Sequence, residues 1–395
     1  MSETVTKQEL LHRIESLYIC ARSINKDFDA IFIIDKVNQY YFTGTMQDAV
    51  FVLKNDGSYL YFVRRSYDRA KLETPLDNIY SMTSYKDIFL KIGDIKVSFL
   101  ESNIVTLNIL ERMKKYFTFE NILPIENIIL KIRAVKSKLE LEQVYASADR
   151  HKKLMDIEVP GVLKEGMSEV ELISKIYEKM LELGYQGISR FIRFQTEAVA
   201  GQIGFSENSV YPTSFDGPGG MKGMYPAVPI VGDRNRFLKK GDLVFVDIGF
   251  GYNGYHSDRT QVYMFKSKPT EELVFAHKMC MDIQKKTASM LKPGNIPSQI
   301  YNKIISDIPN DFLVNFMGIG KNQVKFLGHG VGLNVDEYPV IANGFDEPLK
   351  ENMVIAIEPK KSFDNIGIVG VEDTYTVTKE GGKCITGGEK EIMIV

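Results

Sequence analysis

The segment Gly241-Asp-Leu-Val-Phe-Val-Asp247-Ile-Gly-Phe-Gly-Tyr-Asn253-Gly254-Tyr-His256-Ser-Asp258 can fold in few ways. An Asn-Gly pair between two apolar runs is the strongest short-range hairpin signal, because both residues accept the positive φ of a two-residue turn. With Asn253 and Gly254 as the loop, Tyr252 faces Tyr255 and Gly249 faces Asp258. Asp247 lies two residues from Gly249, so strand alternation puts it on the face of Asp258. The acids are then diagonal neighbours, roughly 7–8 Å apart at the backbone. An ordinary hairpin with exposed acids fits the same pattern, and a one-residue bulge would separate the faces.

Three more residues extend this pattern. His329, among only five histidines, lies in Phe326-Leu-Gly328-His329-Gly330-Val-Gly332-Leu. The glycines around it let backbone approach closely, as a metal-bound imidazole in a crowded pocket requires. Glu358 ends the apolar run Met353-Val-Ile-Ala-Ile357, and Glu372 follows Ile368-Val-Gly-Val371. An acid embedded in an apolar strand is costly unless it is paired or metal-bound. Asp373 points to the opposite face and is expected to be solvated. Four carboxylates and one imidazole suit a pair of Mn, Co, Zn or Fe(II) ions rather than thiolate-seeking metals. Two divalent ions also balance the carboxylate charge, and carboxylates on facing strands can share ions ~3.5–4 Å apart.

Val246-Asp247-Ile-Gly, Ser257-Asp258, Gly328-His329-Gly330-Val-Gly332-Leu, Ile357-Glu358-Pro359 and Val371-Glu372-Asp373-Thr374 together resemble the motifs of the pita-bread metallopeptidases. That family includes Xaa-Pro aminopeptidase, prolidase and methionine aminopeptidase, with creatinase as a metal-free cousin. The resemblance covers most of the chain, since the front is similar to the creatinase-type N-terminal domain. It implies that Asp247 binds one ion and His329 the other, with Asp258 and Glu372 bridging. Glu358 would bind the His329 ion and help deprotonate the bridging water.

The chain also departs from that pattern. Family peptidases usually carry a second His seven residues after the metal-binding one, where this chain has Asp336. No histidine stands between His151 and His256, where the family places another. Gly370 takes the position of an Arg found in many Xaa-Pro-specific members. His256 is the candidate for part of the missing role, because it shares strand parity with Asp258; a partly exposed hairpin His fits the same position. Tyr211, Asp216 and Tyr338 are further candidates. Ser214-Phe-Asp216-Gly-Pro-Gly-Gly220-Met-Lys-Gly223-Met-Tyr-Pro is too rich in Gly and Pro for a regular element, and reads as a substrate-facing lid or a long surface loop.

The 395 residues suffice for two domains. With 49 basic against 51 acidic residues, no electrostatic footprint marks a nucleic acid or an anionic membrane as partner. Cys20, Cys280 and Cys384 are too few and too scattered for a disulfide framework. No apolar signal segment or membrane-length run is seen, so the cytoplasm is the expected location. Strands are expected at 29–34, 49–53, 59–63 and 95–100, with helical spacing over 107–116. The segment Arg133-Ala-Val-Lys136-Ser137-Lys-Leu-Glu140 opens a long helix with Leu141, Val144, Ala148 and Leu154 near one face, and a second is marked by the capping box of Ser168 and Glu171, with Val170, Ile173, Ile176, Tyr177 and Met180 as its apolar stripe.

The expected fold is α+β: a creatinase-like N-terminal α/β domain over residues 1–133, then a pita-bread domain over 134–395. The expected function is a dinuclear metal-dependent aminopeptidase or dipeptidase acting on short, Xaa-Pro peptides. Glu358 and His256 are the expected catalytic residues; Asp247, Asp258, His329, Glu358 and Glu372 are the expected ligands of the two ions. Family members are often homodimers, so the resemblance implies a homodimer here. The alternatives are a pita-bread enzyme acting on a small non-peptide metabolite and a catalytically inactive relative that binds peptides or proteins.

Overall fold

A computed structural model describes residues 5–193, 196, 198–388 and 390–395. The chain divides into two compact units, Met1–Arg133 and Ala134–Val395.

In the first unit, six strands form one mixed sheet: β1 (Ala30–Ile33), β2 (Asp48–Lys54), β3 (Tyr59–Arg65), β4 (Ile79–Ser81), β5 (Val97–Leu100) and β6 (Asn121–Pro124), in the order β4-β3-β2-β1-β5-β6. The apolar runs expected as strands become its centre, and β1 is wholly buried. Phe32, Val50, Val52, Phe62, Ile88, Met113 and Phe117 fill one face. The helix Lys7–Ile24 is capped by Thr6 and buries Leu10, Ile14, Leu17 and Ala21.

The second unit opens with the helix Lys138–Lys153, whose N-terminus is a capping box of Ser137 and Glu140. The helix Glu169–Glu182 is capped by Ser168 and Glu171 as its sequence dictates, and buries Leu172, Ile173, Ile176 and Met180. Val170 and Tyr177, expected in that stripe, are only partly buried, and Leu172 takes the inner position.

Its strands are β7 (Gly201–Phe205), β8 (Leu243–Tyr252), β9 (Tyr255–Met264), β10 (Phe326–Gly330), β11 (Glu337–Ala342), β12 (Val354–Ile357), β13 (Lys360–Phe363), β14 (Gly367–Gly370), β15 (Asp373–Thr378), β16 (Gly381–Cys384) and β17 (Met393–Ile394). One sheet runs β17-β9-β8-β7 and another β11-β10-β12-β15-β16, while β13 and β14 pair with each other. An antiparallel bridge from Thr260 to Glu372 ties β9 to the entry of β15. The hairpin register is the one the Asn-Gly turn dictates: Tyr252 opposes Tyr255 and Gly249 opposes Asp258, without a bulge. Helices Glu271–Ser289 and Pro297–Asp307 cover one apolar layer, built on Leu243, Phe245, Val262, Ile355, Ile357 and Val377. The helix Glu169–Glu182 covers another, with Ile203, Val244, Val246 and Ile248.

Candidate metal centre

Each acid arrives from a different strand or strand end. Asp247 is central in β8 and opposes Thr260, whose backbone in turn bridges to Glu372. Asp258 lies on β9, held through its backbone by the Thr374 hydroxyl, which accepts from the Asp258 amide and donates to its carbonyl, both at 2.8 Å. Glu358 follows the end of β12 and Glu372 precedes β15, so both project where strands end. His329 lies on β10 between two glycines. A Cβ on Gly328 would collide with the Ala356 carbonyl and one on Gly330 with the Tyr338 carbonyl, which is why neighbouring strands can close in on both sides of the imidazole.

These residues converge. His329 Nδ1 lies 3.1 Å from the Gly330 carbonyl, which can only accept, so Nδ1 carries a proton and Nε2 turns to the acids. Nε2 is 3.4 Å from Glu358 Oε1, 3.7 Å from Glu372 Oε1 and 3.8 Å from Asp258 Oδ2. Donors placed about 2.1 Å from a tetrahedral ion stand about 3.4 Å apart, so this spacing fits a divalent ion. Buried Asp258 Oδ1 and Glu372 Oε1 have no hydrogen-bond partner among the described residues, as expected of oxygens reserved for a cation. Asp258, His329, Glu358 and Glu372 would hold that ion.

The second cluster, Asp247, Glu358 and Glu372, has a different occupant. The side chain of Lys360 is fully buried, and its ammonium donates to Glu358 Oε2 and Glu372 Oε2 at 2.8 Å and to Asp247 Oδ2 at 3.1 Å. Those contacts use all three protons of the ammonium. With Lys360 in place these residues do not fit a second ion. Sequence reasoning missed this lysine. The available signal was its parity with Glu358 two positions earlier in Glu358-Pro359-Lys360, against the ordinary expectation that a lysine is solvated.

Electrostatics follow from this crowding. Burial raises the Asp247 pKa to about 7, with the Lys360 charge opposing it. Burial and the neighbouring acids push Asp258 well above the usual carboxylate range. Burial also raises Glu358, against the pull of Lys360. For Glu372, burial is outweighed by Lys360 and His329, and its pKa falls below the ordinary value. Burial disfavours the ammonium of Lys360, yet Asp247, Glu358 and Glu372 together hold its pKa well above that of a free lysine.

Above the cluster a cavity is lined by Phe191, Arg193, Phe215, Asp216, Val335 and Asp336 as well as by the acids and His329. Phe191 and Phe215 form an edge-to-face pair with centroids 5.0 Å apart. The Gly/Pro-rich segment from Ser214 thus contributes Phe215, Asp216 and Gly217 to the cavity wall. Asp336 accepts from the Ile192 amide at 2.9 Å, and burial raises its pKa. His256 is buried, not partly exposed, and is not among the cavity-lining residues. Its Nδ1 lies 3.1 Å from the Gly332 carbonyl and its Nε2 3.1 Å from Gln186 Nε2, and burial lowers its pKa to about 4. Tyr211 is exposed, and Tyr338 reaches Glu347 at 3.3 Å. Asp373 corrects the expectation of a solvated side chain: it is buried and accepts from Thr386 Oγ1 at 2.9 Å and the Gly388 amide at 3.1 Å.

Residues 142–379 match metallopeptidase family M24, and residues 22–135 match the creatinase/prolidase N-terminal domain. The chain belongs to metallopeptidase family M24 and carries the pita-bread fold of that family behind a creatinase-type domain. It is 26% identical to the Xaa-Pro dipeptidase of Pyrococcus furiosus over 367 residues, covering 92% of this chain and 95% of that one. It is 26% identical to the Xaa-Pro dipeptidase of Pyrococcus horikoshii over 369 residues, covering 92% of this chain and 94% of that one. The crystal structure of the Pyrococcus horikoshii OT3 prolidase superimposes with a TM-score of 0.78 at 23% identity, covering 97% of this chain and all of that one.

Among the described residues, no helix is long and apolar enough to cross a membrane.

Proposed function

We propose that this chain is a metal-dependent dipeptidase that releases the N-terminal residue from short Xaa-Pro peptides. The observation that carries this reading is the set of three carboxylate oxygens at 3.4–3.8 Å around His329 Nε2, at the floor of a cavity with an aromatic wall. The full-length likeness to two Xaa-Pro dipeptidases supports the substrate class.

Asp258, His329, Glu358 and Glu372 would hold a divalent ion, which when bound would supply Lewis acidity and make a water molecule easier to deprotonate. The protein residues do the rest. Glu358 takes the proton of the attacking water and delivers it to the leaving amine. Lys360 favours the anionic forms of Glu358 and Glu372 and holds one oxygen of each away from the reacting side. Phe191 and Phe215 offer an apolar surface to the pyrrolidine ring of proline. Arg193, on the cavity wall beside Asp216 at 3.7 Å, suits the free carboxylate of a dipeptide.

The test is a panel of Xaa-Pro dipeptides, tripeptides and non-proline peptides, assayed with Mn, Co and Zn in turn. Xaa-Pro dipeptides should be cleaved at least about tenfold faster than non-proline dipeptides, a difference of roughly 1.4 kcal/mol in transition-state binding. Absence of cleavage across the panel, with metal demonstrably bound, would reject a peptidase.

His256 enters the proposal as a positioning residue, since its ring ties Gly332, just before cavity-lining Val335 and Asp336, to Gln186. His256→Ala should lose about 10- to 100-fold in kcat/KM, carried mainly by KM, with metal content unchanged. Unchanged KM and kcat would remove His256 from the site.

A further inference from the structure

Lys360 is a departure that the complete set of expected ligands conceals. The carboxylates form two nests that share Glu358 and Glu372. Oε1 of each glutamate turns to His329, and Oε2 of each turns to the Lys360 ammonium. Asp258 completes the first nest, and Asp247 the second. The glutamates therefore bridge two cation positions, as in a dinuclear centre, but one position is filled from within the chain. Four carboxylates facing one divalent ion and one ammonium leave a single net negative charge, so the second divalent ion is largely replaced electrostatically.

The backbone is built around this lysine. Lys360 begins β13 and opposes Gly370 of β14. A Cβ at position 370 would sit 2.6 Å from Lys360 Cα and 3.1 Å from its Cγ, and would strike the Pro359 carbonyl. Glycine there leaves room for the lysine stem, which is 0% exposed. The lysine and the glycine opposite it are thus one device. Expelling the ammonium would strip three charge-assisted hydrogen bonds at once.

We infer that Lys360 is a built-in substitute for one of the two cations, and that this protein is a single-metal member of its family. The ion is held at Asp258, His329, Glu358 and Glu372, and Asp247 serves the lysine rather than a metal. This rests on the metal-centre reading above but not on the identity of the substrate, so its test uses no peptide.

The full-length protein is freed of metal with chelator, equilibrated with excess Mn(II), dialysed and analysed for bound metal. Wild type should hold one Mn(II) per chain and Lys360→Ala two. Asp247→Asn, which keeps the size of the side chain, should still hold one with an unchanged Kd, because it removes a partner of the lysine and not a ligand. Two ions in the wild type, or a loss of Mn(II) in Asp247→Asn, would overturn the inference. One ion in both wild type and a folded Lys360→Ala would show that the lysine does not exclude the second. No bound metal in the wild type would overturn the metal centre as well. One ion without peptide cleavage would overturn only the peptidase reading.

Discussion

Glu372→Gln is expected to lower turnover by about 10³-fold, the effect of losing several kcal/mol of transition-state stabilisation, and to strip the protein of its metal. Glu372 is the most heavily used side chain of the centre. Its Oε2 accepts from Lys360 at 2.8 Å and from the Thr260 hydroxyl at 2.9 Å, while Oε1 faces His329 Nε2 at 3.7 Å and has no hydrogen-bond partner among the described residues. An amide of the same shape cannot serve both sides. With its oxygen toward Lys360, the NH2 group faces the ion position and cannot ligate. Turned over, the NH2 group meets the ammonium donor to donor. Because the replacement fills the same volume, circular dichroism should report an intact fold while metal analysis and initial rates collapse together. Full metal content with a normal rate would show that the centre is not the one assigned here.

The site was legible where two local rules agreed. Asn253-Gly254 fixed a turn and strand alternation did the rest, so the pairing of Gly249 with Asp258 follows from sequence alone. The glycines flanking His329 were equally readable, because close approach of β11 and β12 leaves no space for a side chain. Lys360 was not legible because Pro359 breaks the strand between it and Glu358, and a lysine in a polar run is ordinarily solvated. What draws it inward is a cluster of acids assembled from three separate strand regions, a tertiary property. Asp373 was misread for a related reason: alternation names the opposite face correctly but does not say whether that face meets water. Here the helix Glu271–Ser289 covers it, and Gln284 reaches Asp373 at 3.3 Å. The first unit was read from its strands and from the helical spacing over 107–116, which forms the helix Leu107–Met113, and this leaves out the helix Lys7–Ile24, although Leu10, Ile14, Leu17 and Ala21 recur at helical spacing.

Gly370→Ala is expected to destabilise the protein by roughly 2–6 kcal/mol, as overpacking and backbone strain add at one residue. Gly370 has φ +140, a conformation that residues with a Cβ rarely adopt. The added methyl would also lie 2.6 Å from Lys360 Cα and strike the Pro359 carbonyl, both of them backbone atoms that cannot swing aside. A second anchor resists relaxation. The Gly370 amide donates to His277 Nδ1 at 3.2 Å, while His277 Nε2 donates to the Lys390 carbonyl at 2.8 Å, so the imidazole is held at both nitrogens. Gly344 supplies the control, since it also has a positive φ, +87, but nothing among the described residues lies within 4 Å of a Cβ placed there. Gly344→Ala should therefore cost only the left-handed backbone term of about 1–2 kcal/mol. Calorimetry on the two variants separates the contributions, with a Tm loss of roughly 5–15 °C expected for Gly370→Ala and a few degrees for Gly344→Ala. Equal losses would mean that backbone conformation alone requires glycine at position 370, and that the space it leaves for Lys360 contributes nothing to the fold.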